Sequence, residues 1–212
     1  VYPDISSISK YTGNLKPVNL ESIKEDLQKK GRLKQAASYL SASTRFASIL
    51  YKEELERAMK TPGYSGYQLL GLTDYPGQGT ALVGLLDVFW DGKDAASDTQ
   101  FKQVCAPVVP LASFEKATYT NQDTFKASLQ IANFSAETLK NIALEWSLKR
   151  EDGSILHQGI LEKQDVKVGN NQMLGNIAVP LSSISKAERL TLSLSVAHTK
   201  IANEWNIWVY PS

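Results

Sequence analysis

Cysteine is nearly absent from this chain: among its 212 residues there is one, Cys105. A lone cysteine excludes an internal disulfide and any cysteine-built metal site. Its neighbours Phe101, Val104, Ala106 and Val108 are apolar, which predicts a buried structural thiol and not a nucleophile. Histidine is almost as scarce, with two residues, His157 and His198, both on predicted strands. No carboxylate is spaced to build a Ser-His-Asp triad or a zinc site around either one. Charge of one sign is missing too: the formal net charge is +1. Nucleic-acid binding needs a clustered basic face. The densest basic group, Lys29, Lys30, Arg32 and Lys34, falls at a predicted helix end, where cations complement the helix dipole. No apolar run reaches the roughly 18 residues of a membrane span, and no signal peptide is visible. Nucleic acid, membrane and cofactor are therefore not among the expected partners. The compartment stays open, with a periplasmic or extracellular one favoured.

What is present is enough apolar material, 42% of residues, to fill real cores. The length suits two modest domains of about 100–150 residues. The first, over 1–110, reads as α/β. Asn19 is placed to cap a helix from about Leu20 to Lys30 that Gly31 closes, with Leu20, Ile23 and Leu27 on one face. A longer helix is predicted from about Leu33 to Lys60, stopped by Pro62-Gly63. Tyr67 to Leu72 is a short, near-continuous apolar run, the pattern of a strand buried on both faces of a parallel sheet. A Pro/Gly-rich loop over 73–80 follows, then an apolar stretch from Ala81 to Trp90, and a short helix from about Asp98 to Cys105.

From about Leu111 the period changes. Phe125, Ala127, Leu129 and Ile131 alternate with polar residues. So do Ile142, Leu144, Trp146 and Leu148, and later Leu190, Leu192, Leu194 and Val196. Period-2 alternation marks half-buried antiparallel strands. Turn signals separate them at Asn121-Gln122-Asp123, Glu151-Asp152-Gly153 and Gly169-Asn170-Asn171. About seven strands in about 100 residues predict an immunoglobulin-like sandwich over 111–212, with Trp146 as a core plug. On the last strand, Trp205, Ile207 and Val209 share one face and Trp208 and Tyr210 the other, so one of the two sets must be core.

The first half looks incomplete. A strand interior to a parallel sheet needs neighbours on both edges, because each unpaired buried backbone group costs about 1–3 kcal/mol. The chain also begins at Val1, without an initiator Met, in the phrase Tyr2-Pro3-Asp4. Companion strands are therefore expected upstream, on a missing N-terminal part of the same protein.

The phrase from Gly66 to Asp91, through Leu69-Leu70-Gly71-Leu72-Thr73-Asp74-Tyr75-Pro76-Gly77-Gln78-Gly79-Thr80, resembles the last barrel strand and loop of bacterial glycoside hydrolases of family 2, the β-galactosidase-like group. Tyr2-Pro3, Lys10-Tyr11-Thr12-Gly13 and Leu15-Lys16-Pro17 resemble the segment after a catalytic-strand glutamate in those enzymes. Asn203 to Pro211 resembles the closing strand of their appended sandwich. The resemblance implies a fold: the C-terminal part of a TIM (β/α)8 barrel, then an immunoglobulin-like sandwich. It also implies a parent that is a retaining exo-glycosidase using two carboxylates. No residue here matches those glutamates, so no catalytic residue is assigned and the chain is expected to be inactive alone. A carbohydrate substrate is the implied ligand. Barrel sites lie at strand C-termini, so Asp74 and Gln78 are candidates to hydrogen-bond sugar hydroxyls, and Tyr75 and Trp90 to stack on a pyranose. The plainer readings are a turn fixed by Asp74 and a core role for Trp90. The alternative function is a non-catalytic carbohydrate-binding or structural sandwich, with Trp205, Trp208 and Tyr210 as its contact residues.

Overall fold

The computed structural model describes residues 1–75, 82–93 and 98–212. They form two compact units: Val1–Glu54 with Tyr67–Thr99, and Leu55–Gly66 with Gln100–Ser212.

The second unit is an antiparallel β-sandwich. Its strands are β1 (Val108–Ser113), β2 (Thr118–Thr120), β3 (Thr124–Asn133), β4 (Leu139–Ile142), β5 (Leu144–Lys149), β6 (Ile155–Ile160), β7 (Gln164–Val166), β8 (Gly169–Pro180), β9 (Glu188–Val196) and β10 (Ala202–Tyr210). One sheet has the order β1-β3-β8 and the other β2-β10-β9-β5-β6, while β4 pairs with β7. The short β2 runs parallel to β10. Alternation fills the space between the sheets: Phe125, Leu129 and Ile131 face Leu144, Leu148, Leu190, Leu192, Leu194 and Ile207, all at most 1% exposed. Each such side chain contributes about 1.5–3 kcal/mol on burial. Trp146 packs at the margin of this core and lies on Gly159 of the paired strand, where an added Cβ would come within 2.7 Å of the indole nitrogen. Only glycine lets the ring settle there.

The outer side of β1 is covered as well. Leu55 and Met59, in the last turns of a helix, and Val104 join Val109, Leu111 and Ala132 in a second buried cluster. This is why five of the six residues of β1 are buried. Asn133 closes the far end of β3. Its side-chain amide is fully buried and donates to the carbonyls of Glu137 (2.9 Å) and Val166 (3.2 Å).

The first unit opens with a 3-10 turn, Ile5–Lys10, capped by Asp4 on the Ser6 amide. Helix α1 is Val18–Lys29 and α2 is Ala36–Lys60, the last six residues of which count with the second unit. The α1 N-cap is Pro17, without a side-chain cap, in place of the expected Asn19. Its end is as expected. Gly31 takes φ 65°, and the amides of Gly31 and Arg32 bond back to Gln28 and Leu27, which satisfies the last carbonyls. A third helix, α3, is Asp98–Val104.

The expected barrel segment is not what the chain builds. Among the described residues there is no repeat of strand and helix, and every strand lies in the second unit. Tyr67–Leu72 is not a strand. A single parallel bridge, Thr73 to Leu86, is all that forms beside it, and Leu70 is 86% exposed. An apolar run becomes an interior strand only when chains flank it on both sides, and among the described residues only the Leu86 stretch meets its end, through the Leu86 amide on the Leu72 carbonyl. The α/β-plus-immunoglobulin pair is therefore replaced by a β-sandwich with, among the described residues, ten strands in three sheets. Cys105 is a second correction: it is exposed. The apolar flank is genuine, but Val104 takes the inward position at the end of α3 and turns Cys105 outward.

Candidate functional site

The segment 67–93 holds the residues that the sequence marks for sugar contact. Asp74 is 6% exposed. Its Oδ1 accepts from the Gly84 amide at 2.9 Å and from the Lys93 ammonium at 2.5 Å. Lys93 also donates to the Leu82 carbonyl at 3.3 Å. Gly84 is obligatory: a Cβ there would sit 2.3 Å from the Thr73 carbonyl carbon and 2.4 Å from the Asp74 nitrogen. Main chain thus passes against main chain, and the Asp74 carboxylate with Lys93 ties the two together.

Asp87 organises the following turn. Its Oδ1 accepts from the amides of Phe89 (2.8 Å) and Asp91 (2.9 Å), the reach of an Asx turn. Its Oδ2 accepts from Lys10 at 2.9 Å, and Lys10 also holds Asp91 at 2.6 Å. Burial alone would push the Asp87 carboxyl up. The Lys10 bond and charge and the two amide bonds outweigh it, so the group lies below the ordinary carboxylate range. Lys10 is pushed up by its bonds to Asp91 and Asp87. Tyr11 meets Phe89 edge-on with centroids 4.9 Å apart. Burial, then the charges of Asp87 and Asp74, raise its phenol. Burial and the Asp74 charge raise that of Tyr51, which donates to the Val83 carbonyl at 2.6 Å.

Tyr11, Leu20, Asp74, Tyr75 and Asp87 share a cavity of about 50 Å³. That has room for a water or two, not for a pyranose. Tyr75 at its rim is 63% exposed. Trp90 is 69% exposed at φ 69°, on the turn closed by its amide to the Asp87 carbonyl. The structure thus brings Asp74 and Tyr75 together, turns Trp90 to solvent instead of into a core, and engages Asp74 in an ion pair. Gln78 lies outside the described residues. Sequence reading missed Lys10, Lys93 and Tyr11. The signal for the turn was available in the i, i+2, i+4 spacing of Asp87, Phe89 and Asp91.

On the sandwich, β10 resolves the choice between its faces. Ile207 and Val209 are fully buried, whereas Trp208 is 42% and Tyr210 49% exposed on the outer face of the five-stranded sheet. Register sets Thr118 and Thr120 beside them on one side and Arg189 beside Trp208 on the other. Trp205 points inward, and its indole donates to Glu56 at 2.7 Å. Among the described residues no cluster of three or more His, Cys, Asp or Glu is arranged to hold a metal ion.

A family described as a domain of unknown function (DUF8488) matches residues 123–211. No curated protein matches the chain. Solved structures resemble part of it. A family 123 glycoside hydrolase from Clostridium perfringens aligns at TM-score 0.35 and 6% identity, over 50% of this chain and 27% of that one. The sporulation control protein Spo0M from Bacillus subtilis aligns at TM-score 0.35 and 13% identity, over 50% of each chain. A β-glucuronidase of glycoside hydrolase family 2 aligns at TM-score 0.31 and 13% identity, over 46% of this chain and 11% of that one. The chain therefore spans half or less of the length of each of these neighbours, which include glycoside hydrolases at low identity.

Proposed function

We propose that this chain is a non-catalytic, carbohydrate-related module of a glycoside hydrolase, and that the paired carboxylates lie on further polypeptide that seats against the first unit. The observation that carries this reading is the surface of that unit. Leu70 is 86% exposed, Val18 66%, Ile49 65% and Phe46 60%, and only Leu20 and Leu27 are buried hydrophobics there among the described residues. Large apolar side chains left this exposed on a unit with so few buried ones are what a surface that packs against something else would show. The resemblance of residues 66–91 supplies the enzyme class. Tyr75, Trp90 and Gln78 then contact the sugar, while Asp74 holds the main chain beside Tyr75 against Gly84 and Asp87 fixes the turn that carries Trp90. Turnover of aryl glycosides is the test. The chain alone shows none, and the protein extended by its remaining polypeptide turns them over. Turnover by the chain alone that disappears in Asp74→Ala would place the chemistry here and overturn the reading.

A second reading rests on Trp208 and Tyr210. Two aromatic rings on alternate residues of one strand, about 7 Å apart along it and flanked by threonine hydroxyls, have the make-up of a flat glycan platform. Titration of a soluble oligosaccharide into the chain then quenches tryptophan emission, and Trp208→Ala abolishes the quenching. Quenching that survives this substitution removes the platform.

A further inference from the structure

We propose that the outer face of the β1-β3-β8 sheet carries a binding groove for a neutral pyranoside. The space there is about 520 Å³, within the roughly 300–1,000 Å³ of small-molecule sites and far larger than the cavity beside Asp74. Ser113, Phe114, Glu115, Lys126, Ser128 and Asn176 line it. It lies on the opposite outer face of the sandwich from Trp208 and Tyr210.

The sheet builds this groove by leaving one row uncovered. Leu55, Met59 and Val104 cover Val109, Leu111 and Ala132. Further along the same face the residues turn polar. Ser113 pairs with Ser128, and Ser128 with Asn176. Cross-strand partners share a face, so the three stand abreast at the strand spacing of about 4.8 Å. Just past this row the register of β3 and β8 shifts, between Leu129 and Gln130, and a bulge of this kind bends its strand.

Hydrogen bonding sets what the row can recognise. The Ser128 hydroxyl donates to the Asn176 side-chain oxygen at 2.7 Å. That leaves lone pairs on Ser128 as acceptors and the Asn176 amide nitrogen as a donor. The Ser113 hydroxyl accepts only a long contact, from the Gln130 amide at 3.5 Å, so its own proton is available to a ligand. Across the sheet the row reads donor, acceptor, donor. A hydroxyl both gives and accepts, so a row of hydroxyls matches it. Glu115 and Lys126 add one charge of each sign to the lining, which favours a neutral ligand over an ion. Phe114 is half-buried, with its ring 5.6 Å from that of Phe125, and supplies an apolar wall for the C–H face of a pyranose. The sugar class rests on the reading of this chain as a carbohydrate-related module; the groove and its polar row do not.

Gln130 lies at the junction of the apolar cluster and this row. It is 6% exposed, and its side-chain oxygen has no hydrogen-bond partner. A buried acceptor left unmet costs stability. Its amide nitrogen turns to Ser113, which makes Gln130 a positioning residue: it holds the Ser113 oxygen so that the hydroxyl proton points away, into the groove.

Chemical-shift titration of the isotope-labelled 212-residue chain with methyl β-glucoside, methyl β-galactoside and methyl α-mannoside, beside sorbitol, tests this. The amides of Ser113, Ser128 and Asn176 are expected to move with at least one glycoside and to saturate in the millimolar range. Asn176→Ala and Ser128→Ala each weaken binding about tenfold, the worth of one hydrogen bond, and Asn176, being exposed, is replaced without loss of fold. Gln130→Leu weakens binding severalfold while melting no lower than the parent; unchanged binding there removes the role given to Gln130. The proposal is overturned by silence with every glycoside, by shifts that persist in the two alanine variants, or by shifts confined to β10 around Trp208 and Tyr210. Sorbitol binding as well as the glycosides overturns the sugar assignment. Aryl-glycoside turnover by the extended protein reads the enzyme assignment separately, so either can fail without the other.

Discussion

Replacing Glu56 by alanine lowers the stability of the sandwich by about 3 kcal/mol, the sum of two buried donors left without their acceptor at about 1–3 kcal/mol each. Glu56 is 1% exposed. Its Oε1 accepts from the Asn203 side-chain amide at 2.9 Å and its Oε2 from the Trp205 indole at 2.7 Å. Asn203, itself 1% exposed, also donates to the Pro110 carbonyl at 2.9 Å. One carboxylate on the last turns of α2 thus ties helix, β10 and β1 together beside the cluster of Leu55, Met59, Val109 and Leu111. Lys60, one turn further on at 4.0 Å, adds a favourable charge and donates to the Ala112 carbonyl at 3.3 Å. Glu56→Gln keeps a carbonyl acceptor for one donor and loses about half as much. Urea unfolding followed by tryptophan emission measures both variants. A loss under about 1 kcal/mol in Glu56→Ala would show the contacts to be incidental.

That carboxylate illustrates what the sequence could and could not disclose. The sandwich was legible because burial alternates along each strand, and alternation is local: Phe125 to Ile131, Leu190 to Val196 and Trp205 to Val209 all announce their inward face. Glu56 was not legible. It sits among charged residues of a helix end and finds Asn203 a distance of 147 residues along the chain. Nor was the state of Tyr67–Leu72. An apolar run says that a segment avoids water, not that partners for its backbone exist, and here Leu70 and Leu72 stay exposed. Cys105 failed for a related reason, since an apolar neighbourhood in sequence does not say which way one side chain turns at a helix end. For Asp74 the sequence reading offered two roles, turn and ligand contact. The geometry adds a cation, Lys93, whose place 19 residues downstream no motif marks.

Lys93→Met is accordingly expected to destabilise the 73–93 segment by about 3–5 kcal/mol, the cost of leaving a buried charge without its counter-ion. The two side chains are 4% and 6% exposed and 2.5 Å apart, so screening by solvent gives little relief. Asp74 would keep the Gly84 amide at 2.9 Å, but one neutral donor does not replace an ammonium group. The segment cannot readily repack around the change, since the main chain at Gly84 already runs within van der Waals limits of Thr73 and Asp74. The response is local opening: the Asp74 amide bond to Leu86 and the Leu86 amide bond to Leu72 are broken more of the time. Hydrogen exchange at those two amides should accelerate by about a hundredfold to a few thousandfold, given about 1.4 kcal/mol per tenfold, while exchange in the sandwich core is unchanged. Asp74→Asn together with Lys93→Met removes the stranded charge and restores most of the protection. If the single variant exchanges at the parent rate, the ion pair does not hold the loop, and Asp74 is left available for a ligand.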